Sequence, residues 1–151
     1  MADRKLVDNL IDSAEDKVPY DLGSEKALLS LCLKKDSSLN TILRSALTAD
    51  DFYDERNRII YQAISELYMN SKSVDRYLVN DYLSKKGQSE KVGGLTYLGI
   101  IDDSLAISAN IDSYIEIVLE KSKLRRLIKV FGDLEKMAQK AKGSVKDIVD
   151  I

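Results

Sequence analysis

Histidine is absent from the 151-residue chain and cysteine occurs once, as Cys32. One cysteine excludes an internal disulfide, and without histidine there is no Cys/His set for zinc. Cys32 also lacks an imidazole to act as its base, and its apolar helix face assigns it to the core. A dominant charge sign is missing too: the formal net charge is -2. That excludes a surface built throughout to hold nucleic acid, because neutralising phosphates takes clustered Lys and Arg. Apolar runs are only a few residues long, far short of the roughly 20 that span a bilayer, and Met1-Ala2-Asp3-Arg4-Lys5 lacks a signal-peptide apolar core. A cytoplasmic chain with no membrane association is expected. The phosphate loop Gly-x-x-x-x-Gly-Lys-Ser/Thr is missing, since Gly87, Gly93 and Gly94 have no Lys-Ser/Thr ending. No catalytic residue, cofactor or metal is therefore expected within the chain. Proline occurs once and glycine seven times, against usual shares of about 5% and 7%. So few interruptions predict an all-α class, and 44% apolar with 32% charged residues suits one compact domain plus an extension.

What is there is mostly helical periodicity. Residues 1–18 mix charges with Leu6, Leu10 and Ile11 and are expected to form a mobile tail, closed by Pro19. From Leu22, the residues Ala27, Leu28, Leu31 and Cys32 share one helix face, which Asp36-Ser37-Ser38 interrupts. Leu39, Ile42, Leu43 and Leu47 predict a second short helix, and Thr48-Ala49-Asp50-Asp51 has the form of a capping box ahead of the anchor Phe52. Asp54 and Glu55 open a third helix through Ile60, Ala63, Ile64 and Leu67 to about Asn70. Asp75 caps a fourth bearing Leu78, Val79, Tyr82 and Leu83, and Gly87 stands where a left-handed residue ends it. Gly93-Gly94 turns into a short helix with Leu95, Leu98 and Ile101, followed by loop to Ser108.

From about Asn110 to Lys142 no proline intervenes, so one helix of roughly 30 residues is expected. Ile111, Tyr114, Ile115 and Val118 lie on one side of it. Leu124, Leu127, Phe131, Leu134, Ala138 and Ala141 follow the three-four spacing of a coiled coil. At about 100° per residue the second stripe is turned roughly half a circle from the first, with Glu120-Lys121-Ser122-Lys123 at the switch. No single partner surface can bury both. Gly143-Ser144 then stops the helix, and Val145, Ile148, Val149 and Ile151 begin another. The expected architecture is a compact multi-helix head over 19–118 and a protruding helical hairpin over 119–151. The second arm is too short to cover the first, which predicts a piece of something longer whose exposed stripe self-associates.

Two readings stay open for the charged side of this helix. Lys121, Lys123, Arg125, Arg126 and Lys129 belong to a local excess of five positive charges between Glu120 and Lys142. Such a face can track a phosphate backbone, but the solvated side of an amphipathic helix is often Lys/Arg-rich for solubility alone, and that reading is favoured. The adjacent carboxylates Asp50/Asp51 and Asp102/Asp103 lie at helix ends, where capping explains them better than a divalent ion. Tyr61, Tyr68, Tyr82, Tyr97 and Tyr114 fall on helical faces, as core residues with edge hydroxyls rather than a base-stacking platform.

Several blocks together resemble the amino-terminal domain of DnaB-type replicative DNA helicases. They are Pro19-Tyr20-Asp21 with Glu25, Ala27 and Leu28; Asp51-Phe52-Tyr53 with Arg58-Ile59-Ile60-Tyr61; and Val74-Asp75, Leu83, Gly87 and Val92-Gly93-Gly94 with Tyr97-Leu98. The last is Asn110-Ile111, Tyr114, Ile117-Val118 and Glu120-Lys121, with Arg125 and Leu127-Ile128. Asn57 stands where the family usually has histidine, and the usual proline before Val74 is missing. The resemblance runs in order from residue 19 to about 150. It implies a non-catalytic head and hairpin that pair between subunits into a trimer of dimers, a collar above a hexameric ATP- and magnesium-dependent RecA-like motor absent from this chain. It further implies docking of the primase C-terminal domain, of a loader in some members, and DNA passing through the assembly at a bacterial replication fork. Leu124, Leu127, Ile128, Phe131, Leu134 and Ala138 are the expected hairpin and dimer contact. A DNA-binding module using the basic face is the alternative.

Overall fold

A computed structural model of the chain describes Arg4, residues 18–104 and residues 106–140. The described residues form seven α-helices and two short 3-10 turns, with no strand. In chain order these are α1 (Leu22–Lys34), α2 (Asp36–Arg44), a turn at Ala49–Asp51, α3 (Glu55–Met69), α4 (Arg76–Lys85), α5 (Ser89–Val92), α6 (Gly94–Asp102), a turn at Ser108–Asn110 and α7 (Ile111–Lys140). The all-helical class read from the scarcity of proline and glycine is the class observed. The second arm expected over 143–151 lies outside the described residues, as does the tail over 1–18 apart from Arg4 and Val18.

Two compact units account for the chain. One is Tyr20–Ser122; among the described residues the other includes Pro19 and α7 from Lys123 on. In the first unit α1 is central and packs against α2, α3 and α6. Asp21 caps it by accepting from the Ser24 amide at 2.8 Å. Burial then extends beyond the one face expected, since Leu29, Ser30 and Leu33 are covered along with Ala27, Leu28, Leu31 and Cys32. A helix apolar nearly all round belongs inside a fold. Asp36-Ser37-Ser38 does not interrupt the helical run as expected. Only Lys35 is extended, and the three polar residues form the first turn of α2, where Asp36 meets the positive end of the helix dipole.

Short polar devices place the remaining elements. The Thr48 amide donates to the Asp51 carboxylate at 2.8 Å, closing the capping box, and Phe52 beside it is fully buried. Asp54 caps α3 through the Arg56 amide at 2.9 Å, and Asp75 caps α4 through the Leu78 amide at 2.8 Å. Gly93 has φ +96°, and a Cβ there would meet Tyr97 Cβ at 3.0 Å, so the break between α5 and α6 needs glycine. α5 and the turn at Ser108–Asn110 were not anticipated; both are too short to show a period. Leu95, expected on the buried side of α6, is exposed, whereas Leu98 and Ile101 are fully buried. The core gathers Leu28, Leu29, Ile42, Phe52, Ile60 and Ile64 around these, closed by Ile111, Ile115 and Val118 of α7.

Candidate functional site

The 30 residues of α7 make a helix about 45 Å long at a rise of about 1.5 Å each. Its buried residues are Ile111, Ile115, Val118 and Ser122, at spacings of four, three and four. Ser122 was expected in the polar switch between stripes. It instead continues the buried stripe at 2% exposure, and its hydroxyl donates to Asp51 Oδ1 at 2.7 Å. No buried residue follows it among those described in α7.

Beyond Ser122 the apolar side chains are left open. Leu127 is 50% and Phe131 63% exposed; Leu124, Ile128 and Ala138 are exposed and Leu134 is half-buried. Val130 and Met137, seven residues apart, are exposed as well and widen the stripe on one flank. They escaped the coiled-coil spacing because they fall between its positions. Monomeric surfaces rarely carry a contiguous apolar patch of this kind unless it meets a partner.

The five basic residues of the sequence reading do not share one environment. Lys123, Arg126 and Lys129 are exposed, and Lys121 is half-buried. Arg125 is half-buried, and its Nη1 donates to the Pro19 carbonyl at 2.9 Å. At about 100° per residue, Arg126 and Lys129 lie on the side of α7 opposite Leu124 and Phe131.

Within the first unit a buried polar network holds the start of α3, and the sequence reading missed it. Glu25, 1% exposed, accepts from the Tyr53 amide at 2.8 Å, the Asp54 amide at 3.3 Å and Asn57 Nδ2 at 3.0 Å. Fully buried Asn57 accepts the Tyr97 hydroxyl at 2.6 Å through Oδ1. The Arg56 guanidinium lies over the Tyr97 ring, 4.0 Å from its centre. No local signal marked it, because Glu25 stands between Ser24 and Lys26, just ahead of the apolar residues Ala27, Leu28 and Leu29. Burial pushes the Tyr97 hydroxyl up to about 12 and the Cys32 thiol up to about 12, so both stay protonated near neutrality. The side-chain hydrogen bond from Arg56 holds the Asp54 carboxyl below its ordinary value.

The other candidates have structural occupations. Asp51 serves Thr48 and Ser122, and Asp102 lies 3.5 Å from the Arg76 guanidinium. Tyr61 and Tyr97 are core residues whose hydroxyls bond to Leu47 and Asn57, whereas Tyr68 is exposed. Among the described residues no cluster of three or more Asp, Glu, His or Cys could hold a metal, and no helix is long and apolar enough to cross a membrane.

The fold and its surface define an all-helical domain closed by one long helix with an uncovered apolar side. The chain belongs to the DnaB-like helicase N-terminal domain family, whose model matches residues 17–120. It is 34% identical over 139 residues to the replicative DNA helicase DnaB of Leifsonia xyli subsp. xyli, covering 91% of this chain and 30% of that protein. Against the DnaB of Pasteurella multocida it is 35% identical, covering 87% and 28%, and against the replicative DNA helicase DnaC of Bacillus subtilis 33%, covering 93% and 31%. It thus spans about three-tenths of the length of these curated relatives. The crystal structure of the N-terminal domain of DnaB helicase from Mycobacterium tuberculosis superposes with a TM-score of 0.82 at 28% identity, covering 89% of this chain and 94% of that one.

Proposed function

We propose that this domain assembles and docks partners for a replicative helicase and does no chemistry itself. The observation that carries the reading is the stripe Leu124, Leu127, Ile128 and Phe131, exposed among the described residues, with Leu134 half-buried beside it, although all five are spaced for a partner helix. In this reading the first occupant of the stripe is α7 of a second copy. Such pairs form a trimer of dimers, the collar of a hexameric ring whose ATP- and magnesium-dependent motor unwinds DNA in the bacterial cytoplasm. Residues Tyr20–Ser122 form the head, α7 from Lys123 on supplies the pairing arm, and the collar receives the primase C-terminal domain and, where one exists, a loader. Family membership supports this replisome setting.

Phe131→Asp places a charge in the middle of the stripe. Static light scattering should show the dimer weakened at least about tenfold, the cost of desolvating an unpaired charge; association equal to the parent's would remove the pairing assignment. A pull-down with the cognate primase C-terminal domain, against a control lacking residues 123–151, tests docking, and no capture by the full chain would refute it. The second reading is a DNA contact through Lys123, Arg126 and Lys129, favoured by their exposure on α7. Its signature is an affinity falling steeply with salt, and absence of binding at low salt excludes it.

A further inference from the structure

We infer that the hydrogen bond between Asp51 and Ser122 is a latch that sets how far along α7 the hold of the head extends. Three observations meet there. Ser122 occupies the next position of the stripe Ile111, Ile115 and Val118, yet it is polar and 2% exposed. A buried hydroxyl needs a partner, and Asp51 Oδ1 supplies it at 2.7 Å. Asp51 is itself only 2% exposed and is fastened from its other oxygen, Oδ2 accepting from the Thr48 amide at 2.8 Å and the Thr48 hydroxyl at 3.0 Å. The acceptor is therefore held in place by the turn that also seats Phe52 in the core.

The apolar hold weakens before this point. Val118 is the last buried apolar residue described in α7, and Leu119 is only partly buried against the core. The compact unit ends at Ser122. One step further along the stripe stands Arg125, whose Nη1 donates to Pro19. The turn 119–122 thus depends on a charge-assisted hydrogen bond where the preceding turns depend on apolar burial. A larger apolar side chain at 122, like that of Val118 one turn earlier, would hold the turn by buried area alone, whereas a hydroxyl releases it once Asp51 moves. Released, this turn lengthens by four residues the part of α7 available to a partner helix. That consequence rests on the proposed assembly role; the latch itself rests only on the contacts within the head.

Hydrogen exchange on the full chain tests the latch. Ser122→Ala should speed exchange of the amides of residues 119–123 by roughly tenfold or more, with the amides of α3 unchanged. Ser122→Thr, which keeps the hydroxyl, should restore much of the protection. Unchanged exchange at 119–123 in Ser122→Ala, an equal rise throughout the head, or no recovery in Ser122→Thr would each overturn the inference. Light scattering of Phe131→Asp decides the assembly reading separately, so the two can fail independently.

Discussion

The two halves of α7 are built from similar residues in the same backbone conformation, yet they do different work. Residues 111–122 bury Ile111, Ile115, Val118 and Ser122 and complete the core of the head. Residues 123–140 have a comparable number of apolar side chains, and most of them are exposed. Composition does not separate the halves; phase does. A helix face turned by half a circle cannot stay on the same surface, so the first stripe is buried by folding and most of the second stays exposed.

The largest test of this contrast compares a charge in each half. Val118→Asp buries an uncompensated carboxylate and should cost on the order of 4 kcal/mol in chemical denaturation. Phe131→Asp should alter the stability of a dilute, monomeric chain by no more than about 0.5 kcal/mol, as a surface change does. Equal losses would mean that the second half is also part of the core. Next in size is Glu25→Ala, which leaves the Tyr53 and Asp54 amides and Asn57 Nδ2 without their buried acceptor. Calorimetry should record a loss of about 3 kcal/mol, while light scattering well below the melting temperature shows self-association retained. Association lost together with stability would tie the stripe to the head.

The smallest effect is the dependence on alkaline pH. Burial pushes the Cys32 thiol from an ordinary 9.0 up to about 12. Above pH 9 the unfolded chain therefore gives up this proton while the folded chain keeps it. The thiol's contribution is fully present below pH 9 and is lost as pH rises toward 12, by about 1 kcal/mol between pH 9 and 10. Urea titrations at pH 8, 9 and 10 should show a slope that is smaller by about this amount in Cys32→Ala, the remainder coming from buried hydroxyls such as that of Tyr97. At pH 8 a thiol reagent should also modify Cys32 far more slowly than a cysteine introduced by Leu127→Cys, and equal rates would contradict the contrast in burial.

Much of the head was legible because its determinants are local. Asp54, Asp75 and the Thr48–Asp51 box act within three residues of themselves, and each was visible as a helix start. Gly87 and Gly93 announce left-handed turns by residue type alone. Less visible were contacts between residues far apart in the chain: Glu25 with Asn57, Asn57 with Tyr97, and Asp51 with Ser122. A pattern that sorts residues into apolar and polar counts Glu25, Asn57 and Ser122 as surface. Their burial depends on partners about 30 to 70 positions away. The candidate surface divides in the same manner. Its stripe follows from spacing, but the separation of Arg125 from its basic neighbours depends on the Pro19 carbonyl, which no local pattern reveals.

By itself the sequence determined that the chain is helical, where most helices begin, and that its last long helix bears two apolar faces pointing different ways. Each of these follows from the fixed geometry of one helix, in which about 3.6 residues make a turn. Only the tertiary structure decided that the first face continues through Ser122 rather than ending at Val118. It also showed that a glutamate, Glu25, is buried in the head with the start of α3 bonded to it. The reason is physical: whether a polar side chain can be buried depends on whether a hydrogen-bonding partner arrives from elsewhere in the fold.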